Sequence, residues 1–375
     1  GHAIGDPMSR DDAFDLRLAA PADDPEIRAL IASVAMPGAV TMRFAREPDY
    51  FLGTTIMGDP CDVLLARRRD TGKLAAMACR AERRAYVNGQ AQRLGYIGQI
   101  RVADTQRGLW LVHHGARWMR QAAPPEQLYY GVIASDNRRA ARLLAGRRPP
   151  GGAQVRRVCG MTTCAILLRP RRPLRAAGVE VRPAAPAALP ELVAFLQAYA
   201  PQRQFFPAYT LDDFTNGPAL RGLALEDILI ARRGAAVVGV MAAWDQAAYK
   251  QDIVAAYGPG LQRLRPAYDL LARLLGARPL TAPGQAIPLS FAACICIAGD
   301  DPAVMRTLLS ACAGRAQRQG KAFLMVGLVD GDPLLPVARQ YLHIPYHSDL
   351  VALAWSADAL ARLDGRMPYI EIATL

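Results

Sequence analysis

Leu94-Gly-Tyr-Ile-Gly-Gln-Ile-Arg-Val-Ala-Asp-Thr-Gln-Arg-Gly-Leu-Trp-Leu111 decides the reading of this chain. The stretch runs as an apolar strand to Val102, then a short polar loop carrying Arg107-Gly108, then a helix that begins at once. A unit of this kind leaves first-turn N–H groups without intrahelical partners, at the positive end of the helix dipole. Such a terminus binds phosphate. The spacing therefore predicts a pyrophosphate-binding turn and a nucleotide-containing cofactor.

The same pattern extends outward from this stretch. Upstream, a strand is expected over 15–20, and Asp23 and Asp24 offer N-caps to a helix with Ile27, Leu30, Ile31 and Val34 on one face. A second helical stretch covers 48–57, and 62–68 with 73–86 read as a hairpin turning at Asp70-Thr71-Gly72. Downstream come a strand over 128–134, a helix capped by Asp136 or Asn137, and one or two strands over 155–168. An Arg/Pro-rich linker at 170–173 breaks the pattern. The order then restarts: a strand at 179–182, a helix over 186–199, and a hairpin of 227–232 with 236–244. An extra helix follows over 261–275, then strand, helix, strand, helix and strand over 289–298, 302–319, 322–329, 333–342 and 348–355. Such a duplication implies two related domains with a cleft between them.

Composition sets the outer limits. A chain of 375 residues exceeds one typical core, and at 52% hydrophobic and 21% charged it is globular rather than disordered. No uninterrupted apolar run reaches the roughly 18–20 residues of a bilayer span, and no basic region precedes an apolar core at the N-terminus. Residues 1–7 read as a tag remnant ahead of Met8, and a soluble cytoplasmic protein is the expectation, with no membrane partner. The net charge of +12 is almost wholly arginine, since lysine occurs only at Lys73, Lys250 and Lys321; a GC-rich genome accounts for that bias. Arg138, Arg139, Arg142, Arg147, Arg148, Arg156 and Arg157 crowd one region, either as a solvated face or as a docking surface for cofactor phosphates or an acidic carrier protein. Nucleic acid is disfavoured, because no zinc knuckle, basic zipper or aromatic strand motif lies beside them. Seven cysteines without regular spacing and without a Cys-x-x-Cys pair argue against a disulfide framework and against a metal site. Cys294 and Cys296 alternate on an expected strand and read as small buried hydrophobes.

The element order resembles the GNAT superfamily of acyl-coenzyme A N-acyltransferases. Ile100 and Val102 alternate on the apolar strand, Arg107-Gly108 opens the loop, and Asn137, Ala140 and Leu143 match the later Asn-x-x-Ala-x-x-Leu helix. The resemblance covers about residues 15–356 and implies an α/β (α+β) protein of two GNAT-like domains, each a mixed, largely antiparallel twisted sheet flanked by helices. Residues 1–14 are then an extension, 15–169 the acyl-CoA-binding domain, 170–178 the linker, and 179–375 a degenerate copy completing the acceptor cleft. It implies that the strand around Ile100, Arg101 and Val102 pairs its backbone with the pantetheine amides. It further implies that Gln106, Arg107, Gly108, Leu109, Trp110 and Leu111 cradle the pyrophosphate, with Asn137 and Arg142 also toward the cofactor.

Several positions depart from the family pattern. Trp110 and Val112 stand where small residues are usual, Leu144 stands where a thiolate-protonating tyrosine is usual, and Gln99 stands where a carboxylate is usual. In the second half the corresponding loop is Ala298-Gly-Asp-Asp-Pro302, whose Asp300 and Asp301 are good caps but repel phosphate, so that half is not expected to bind coenzyme A. Tyr341 there is expected to pack in the core.

The catalytic candidates are Glu82 as base and Tyr130 as thiolate donor or acceptor binder. The arginines flanking Glu82 also suit a solvent-facing salt bridge, and Tyr129 and Tyr130 alternate faces, so that either one also suits the core. His113 and His114 follow the loop, one of them able to face the phosphates. Phe205, Phe206, Tyr209 and Phe214 form either a lid or a cluster packed on the core. The function implied is direct transfer of an acetyl or other acyl group from acyl-CoA to an amine of a small molecule or peptide, with no metal. The alternatives are a noncatalytic acyl-CoA sensor or scaffold, and an acyltransferase whose donor is an acyl carrier protein.

Overall fold

The computed structural model describes residues 13–36, 38, 40–103, 115, 118–121, 124–135, 137 and 152–375. The first half contributes β1 (Phe14–Leu18), α1 (Asp24–Ser33), β2 (Val40–Ala45), α2 (Thr54–Met57), β3 (Cys61–Arg68), β4 (Leu74–Val87), β5 (Gln90–Val102), β6 (Tyr129–Ala134) and β7 (Gln154–Leu167). The second contributes β8 (Val179–Pro183), α3 (Leu189–Tyr199), α4 (Leu211–Thr215), β9 (Ile228–Arg233), β10 (Ala236–Trp244), β11 (Gln251–Tyr257) and α5 (Pro259–Leu274). It continues through β12 (Leu289–Ile297), α6 (Pro302–Arg318), β13 (Phe323–Val329), α7 (Leu335–Arg339), β14 (His343–Ala354) and α8 (Ala357–Ala361).

Twelve strands form one mixed, largely antiparallel sheet in the order β1-β3-β4-β5-β6-β14-β7-β13-β12-β10-β9-β8. Each half supplies six of them and gives its last strand to the other: β14 lies antiparallel to β6, and β7 lies antiparallel to β13. The two exchanged strands pair with each other from His343 with Ile166 to Ala354 with Gln154, so the halves join through continuous main-chain hydrogen bonds. Among the described residues the parallel neighbours in this sheet are β5 with β6 and β12 with β13, at corresponding places in the two halves. A separate ribbon of β2 and β11 ties the halves a second time.

Local chemistry explains where elements start. Asp301 caps α6 by accepting from Ala303 N at 2.8 Å, as its position predicts. Asp23 does not cap α1. The chain reaches that helix through a 3₁₀ turn, and the Asp23 carboxylate folds back onto Ala20 N (2.8 Å), Arg17 (2.6 Å) and Arg67 (2.8 Å). The Arg17 hydrogen bond, followed by those from Ala20 and Arg67, holds this carboxyl well below its usual range. The region 48–57 is a 3₁₀ turn followed by the four-residue α2 rather than one helix.

The largest fully buried side chains include Trp244, Tyr50, Tyr129 and Phe206. Each contributes roughly 2–3 kcal/mol by leaving water. The aromatic segment around Phe206 is core, not lid. Tyr86 N donates to Phe206 O, Phe205 N to Tyr86 O and Ala208 N to Arg84 O, at 2.7–3.0 Å, while Phe206 stacks on Tyr369 with centroids 4.4 Å apart. Tyr341 is also buried, under the Arg171 guanidinium.

Candidate active site

Two glycines in β5 make room for tyrosines. A Cβ on Gly95 would lie 2.0 Å from the Tyr129 ring, and one on Gly98 would lie 1.9 Å from the Tyr96 hydroxyl. Immediately after Gly98 the strand bulges. Cys79 pairs with Gly98 but Met77 pairs with Arg101, so Gln99 and Ile100 stand against Ala78 alone, with Gln99 at φ 53°. A non-glycine residue in that region costs about 1–3 kcal/mol and points to function. On its other edge β5 pairs with β6 only at Gly95 with Tyr129 and Tyr96 with Tyr130. Beyond that the two parallel strands part, leaving a V-shaped opening whose β5 edge runs through Ile100, Arg101 and Val102. Ile100 is exposed.

The second half repeats this geometry and then closes it. β12 and β13 pair from Leu289 with Phe323 to Phe291 with Met325 and then part. Cys294 and Ile295 bulge against Met241, and Cys294 also has φ 53°, so the simple alternation expected of Cys294 and Cys296 is interrupted. Here the opening is filled by the tail. Glu371 Oε2 accepts from Cys294 N at 2.7 Å, Tyr369 OH accepts from Ile295 N at 3.1 Å, and Ile372 sits where a Cβ on Gly327 would fall. The helix terminus is taken as well: Asp301 caps it and pairs with Arg233, while Asp300 pairs with Arg203.

A bulged strand parting from a parallel neighbour thus occurs twice in one sheet. The chain has a tandem GNAT fold. It superposes on the GCN5-related glucosamine N-acetyltransferase region of a fungal multidomain GH3 β-N-acetylglucosaminidase with TM-score 0.58, at 13% identity, covering 94% of this chain and 39% of that one. It superposes on Saccharomyces cerevisiae N-myristoyltransferase with bound myristoyl-CoA with TM-score 0.56, at 9% identity, covering 92% of this chain and 83% of that one. A structure of the yeast enzyme with myristoyl-CoA and inhibitors gives 0.58 at 10% identity, covering 93% and 81%. This chain thus spans well under half the length of the fungal multidomain protein. No protein-family model and no curated protein matches the sequence.

Within the tandem GNAT fold, the two catalytic candidates are not brought together. Ala81, Tyr96 and Tyr130 lie in register on one face of the sheet, whereas Glu82, Gly95 and Tyr129 lie on the other. Tyr130 is buried at the apex of the open V, tilted onto Tyr96 (5.2 Å) and stacked on Phe205 (6.1 Å), with Thr374 beside its hydroxyl. Burial raises its pKa and keeps the phenol protonated. Glu82 is buried rather than solvent-facing, and its carboxylate pairs with Arg93 (3.1 Å) and Arg80 (3.6 Å). Asn137 is exposed, its N–H donating to Ala134 O. Gln106, Arg107, Gly108, Leu109, Trp110, Leu111 and Arg142 lie outside the described residues, as do His113, His114 and Arg138–Arg148. Of the arginine cluster, Arg156 and Arg157 are described, and Arg157 pairs with Asp349 at 2.7 Å.

Sequence reasoning missed a group on the ribbon. One step beyond the β2–β11 pair of Ala45 with Gln251 lie Arg46 and Lys250, two cations facing each other. They line a small space beside the bulge, together with Gln99, Tyr50 and Leu375. Lys250 Nζ donates to Ala373 O (3.1 Å) and Leu375 O (2.9 Å), with its ammonium 4.6 Å from the Phe291 ring centroid. Burial, and then the charge of Arg46, push its pKa down to about 7. The only sequence signal was rarity: Lys250 is one of three lysines in an arginine-rich chain.

Among the described residues no group of His, Cys, Asp and Glu could hold a metal, and no helix is long and apolar enough to cross a membrane.

Proposed function

We propose that this protein is an N-acyltransferase that binds acyl-CoA in its first half and uses its second half as a wall of the acceptor cavity. One observation carries the reading: of two equivalent parted-strand sites, the second is filled by the chain's own tail, whereas among the described residues no strand pairs with the β5 edge beyond Tyr96. The pantetheine arm lies along β5 at Ile100, Arg101 and Val102, as an added partial strand. The pyrophosphate is held by residues 106–111, with Asn137 and Arg142 toward the cofactor. The likeness to a myristoyl-CoA-binding enzyme supports this placement.

The acceptor amine attacks the thioester carbonyl; a C–N bond forms, and the C–S bond breaks as the oxyanion collapses. The bulge positions a developing oxyanion near the N–H groups of Gln99 and Ile100, since their counterparts at Cys294 and Ile295 bind the tail's oxygens. Tyr130, protonated and at the apex, supplies a proton to the leaving thiolate, and the proton shed by the acylated nitrogen passes through solvent to restore the phenol. Glu82, on the other face and paired with two guanidiniums, takes no part in this scheme. Positioning the two substrates supplies much of the rate.

Calorimetry with acetyl-CoA and longer acyl-CoAs, joined to an assay of free thiol release with a panel of amines, tests the reading. One cofactor per chain is expected, with affinity falling at least ten-fold in Gly108→Asp through charge repulsion at the turn. Two cofactors per chain, none, or unchanged binding in a folded Gly108→Asp would refute it.

A further inference from the structure

The space between the ribbon and the bulge is unusual in its charge. Arg46 is 5% exposed, and among the described residues the single hydrogen bond of its guanidinium goes to Ala45 O at 2.8 Å. No Asp or Glu carboxylate lies within ion-pair distance of Arg46, Lys250 or Arg101 among the described residues; Lys250 donates to Leu375 O at 2.9 Å, and Arg101 Nε is buried without a partner among those residues. Arg46 and Arg101 both stand over the Phe44 ring, at 5.8 and 5.5 Å, and Arg46 faces Lys250 across the ribbon.

Neutral polar groups lining the same space are also unsatisfied: Gln99 Oε1 and the Tyr50 hydroxyl have no hydrogen-bond partner. A second small space adjoins the first across Lys250, and there both amide atoms of Gln246 and Asp252 Oδ1 are unpartnered among the described residues. Asp252 is the one acidic side chain in the set.

Buried unpaired guanidiniums and adjacent like charges are costly unless an anion joins them. Orphaned donors and acceptors in a cavity mark a ligand's polar groups. We infer that Arg46, Lys250 and Arg101 hold an anionic oxygen group of the acceptor, so that the substrate is an amine that also carries a carboxylate or a phosphate. The inference deepens the proposed function and rests on it for the word acceptor; the anion site itself stands on the cavity alone. Guanidiniums suit either oxyanion through paired N–H donors. An anion bound there also raises the affinity of Lys250 for its proton, reversing the downward push of burial.

Arg46→Met tests the site. If the guanidinium serves a ligand, replacing it with an apolar side chain of similar length raises or preserves the unfolding midpoint. Wild type then gains thermal stability on addition of inorganic phosphate or acetate, and R46M does not. In turnover, amino acids or amino-sugar phosphates are acylated in preference to neutral amines of the same size, and R46M lowers that preference at least ten-fold. The carboxylate and phosphate panels separate the two oxyanions. A lowered midpoint in R46M with no anion response in wild type overturns the inference, as does equal acylation of neutral amines. Failure of acyl-CoA to bind wild type, with the phosphate or acetate response intact, would instead count against the acyltransferase reading.

Discussion

Removal of the Glu371 side chain is the sharpest test of the filled second opening. Glu371 is 2% exposed; its Oε2 accepts from Cys294 N at 2.7 Å and from the Tyr369 hydroxyl at 3.0 Å, and its Oε1 has no partner. Burial raises its pKa, so part of what those bonds contribute is spent on desolvation. Glu371→Ala leaves the Cys294 N–H buried and unsatisfied, which costs about 1–3 kcal/mol, and leaves a void where the buried carboxylate stood. Allowing for the relieved carboxylate, the net loss is about 2–4 kcal/mol, or about 3–5 °C in midpoint for a chain this long. Chemical and thermal denaturation measure it. Because the same tail carries Thr374 to Tyr130 and the Ala373 and Leu375 oxygens to Lys250, thiol release should fall as well. A loss under about 0.5 kcal/mol with turnover unchanged would refute the idea that the tail closes this site.

Other perturbations have equally definite outcomes. Tyr130→Phe should lower kcat about 100-fold while leaving KM for acyl-CoA near wild type, whereas Glu82→Gln should leave turnover within about two-fold and cost about 1–3 kcal/mol of stability; steady-state kinetics and urea melts check both. Gly95→Ala drives a methyl into the Tyr129 ring and should destabilise by about 1–3 kcal/mol, with recovery when Tyr129 is shortened to Leu in the same chain. Lys250 titrates near 7 when folded and near 10.5 when unfolded, so between those values the unfolded chain binds more protons and stability rises with pH, by up to about 1.4 kcal/mol per unit. Lys250→Met should flatten that slope between pH 7 and 10; an unchanged slope would clear Lys250 of responsibility.

Much of the fold was legible because it is written locally. The hairpins flanking the 94–102 stretch, the restart after the proline-rich linker and the Asp301 cap all depend on residues a few positions apart, where side-chain period and capping chemistry decide the outcome. The exchange of β7 and β14 depends on pairing His343 with Ile166, and the ribbon on pairing Ala45 with Gln251, separations at which nothing local marks the partner. The site followed the same division. The motif pointed to the strand edge at Ile100, Arg101 and Val102, whereas alternation suggested that only one of Tyr129 and Tyr130 is buried and both are. Arg46 and Lys250 meet only through the ribbon, and Glu82 was misread as solvent-facing because Arg80, Arg83 and Arg84 surround it in sequence. In the fold Arg80 is itself buried beside Asp62, 2.7 Å away, so a charged run can line a covered face when it pairs across strands.

The reciprocal trade of terminal strands makes each repeat a hostage to its sibling. Severing the chain near residue 170 would strip β6 and β13 of one partner each and leave β7 and β14 as long, unpaired ribbons, so neither fragment alone should persist in solution. Co-expressed, the pieces could reassemble only by re-threading the same seam, which makes fragment complementation a direct readout of how far the duplicated units have become one body.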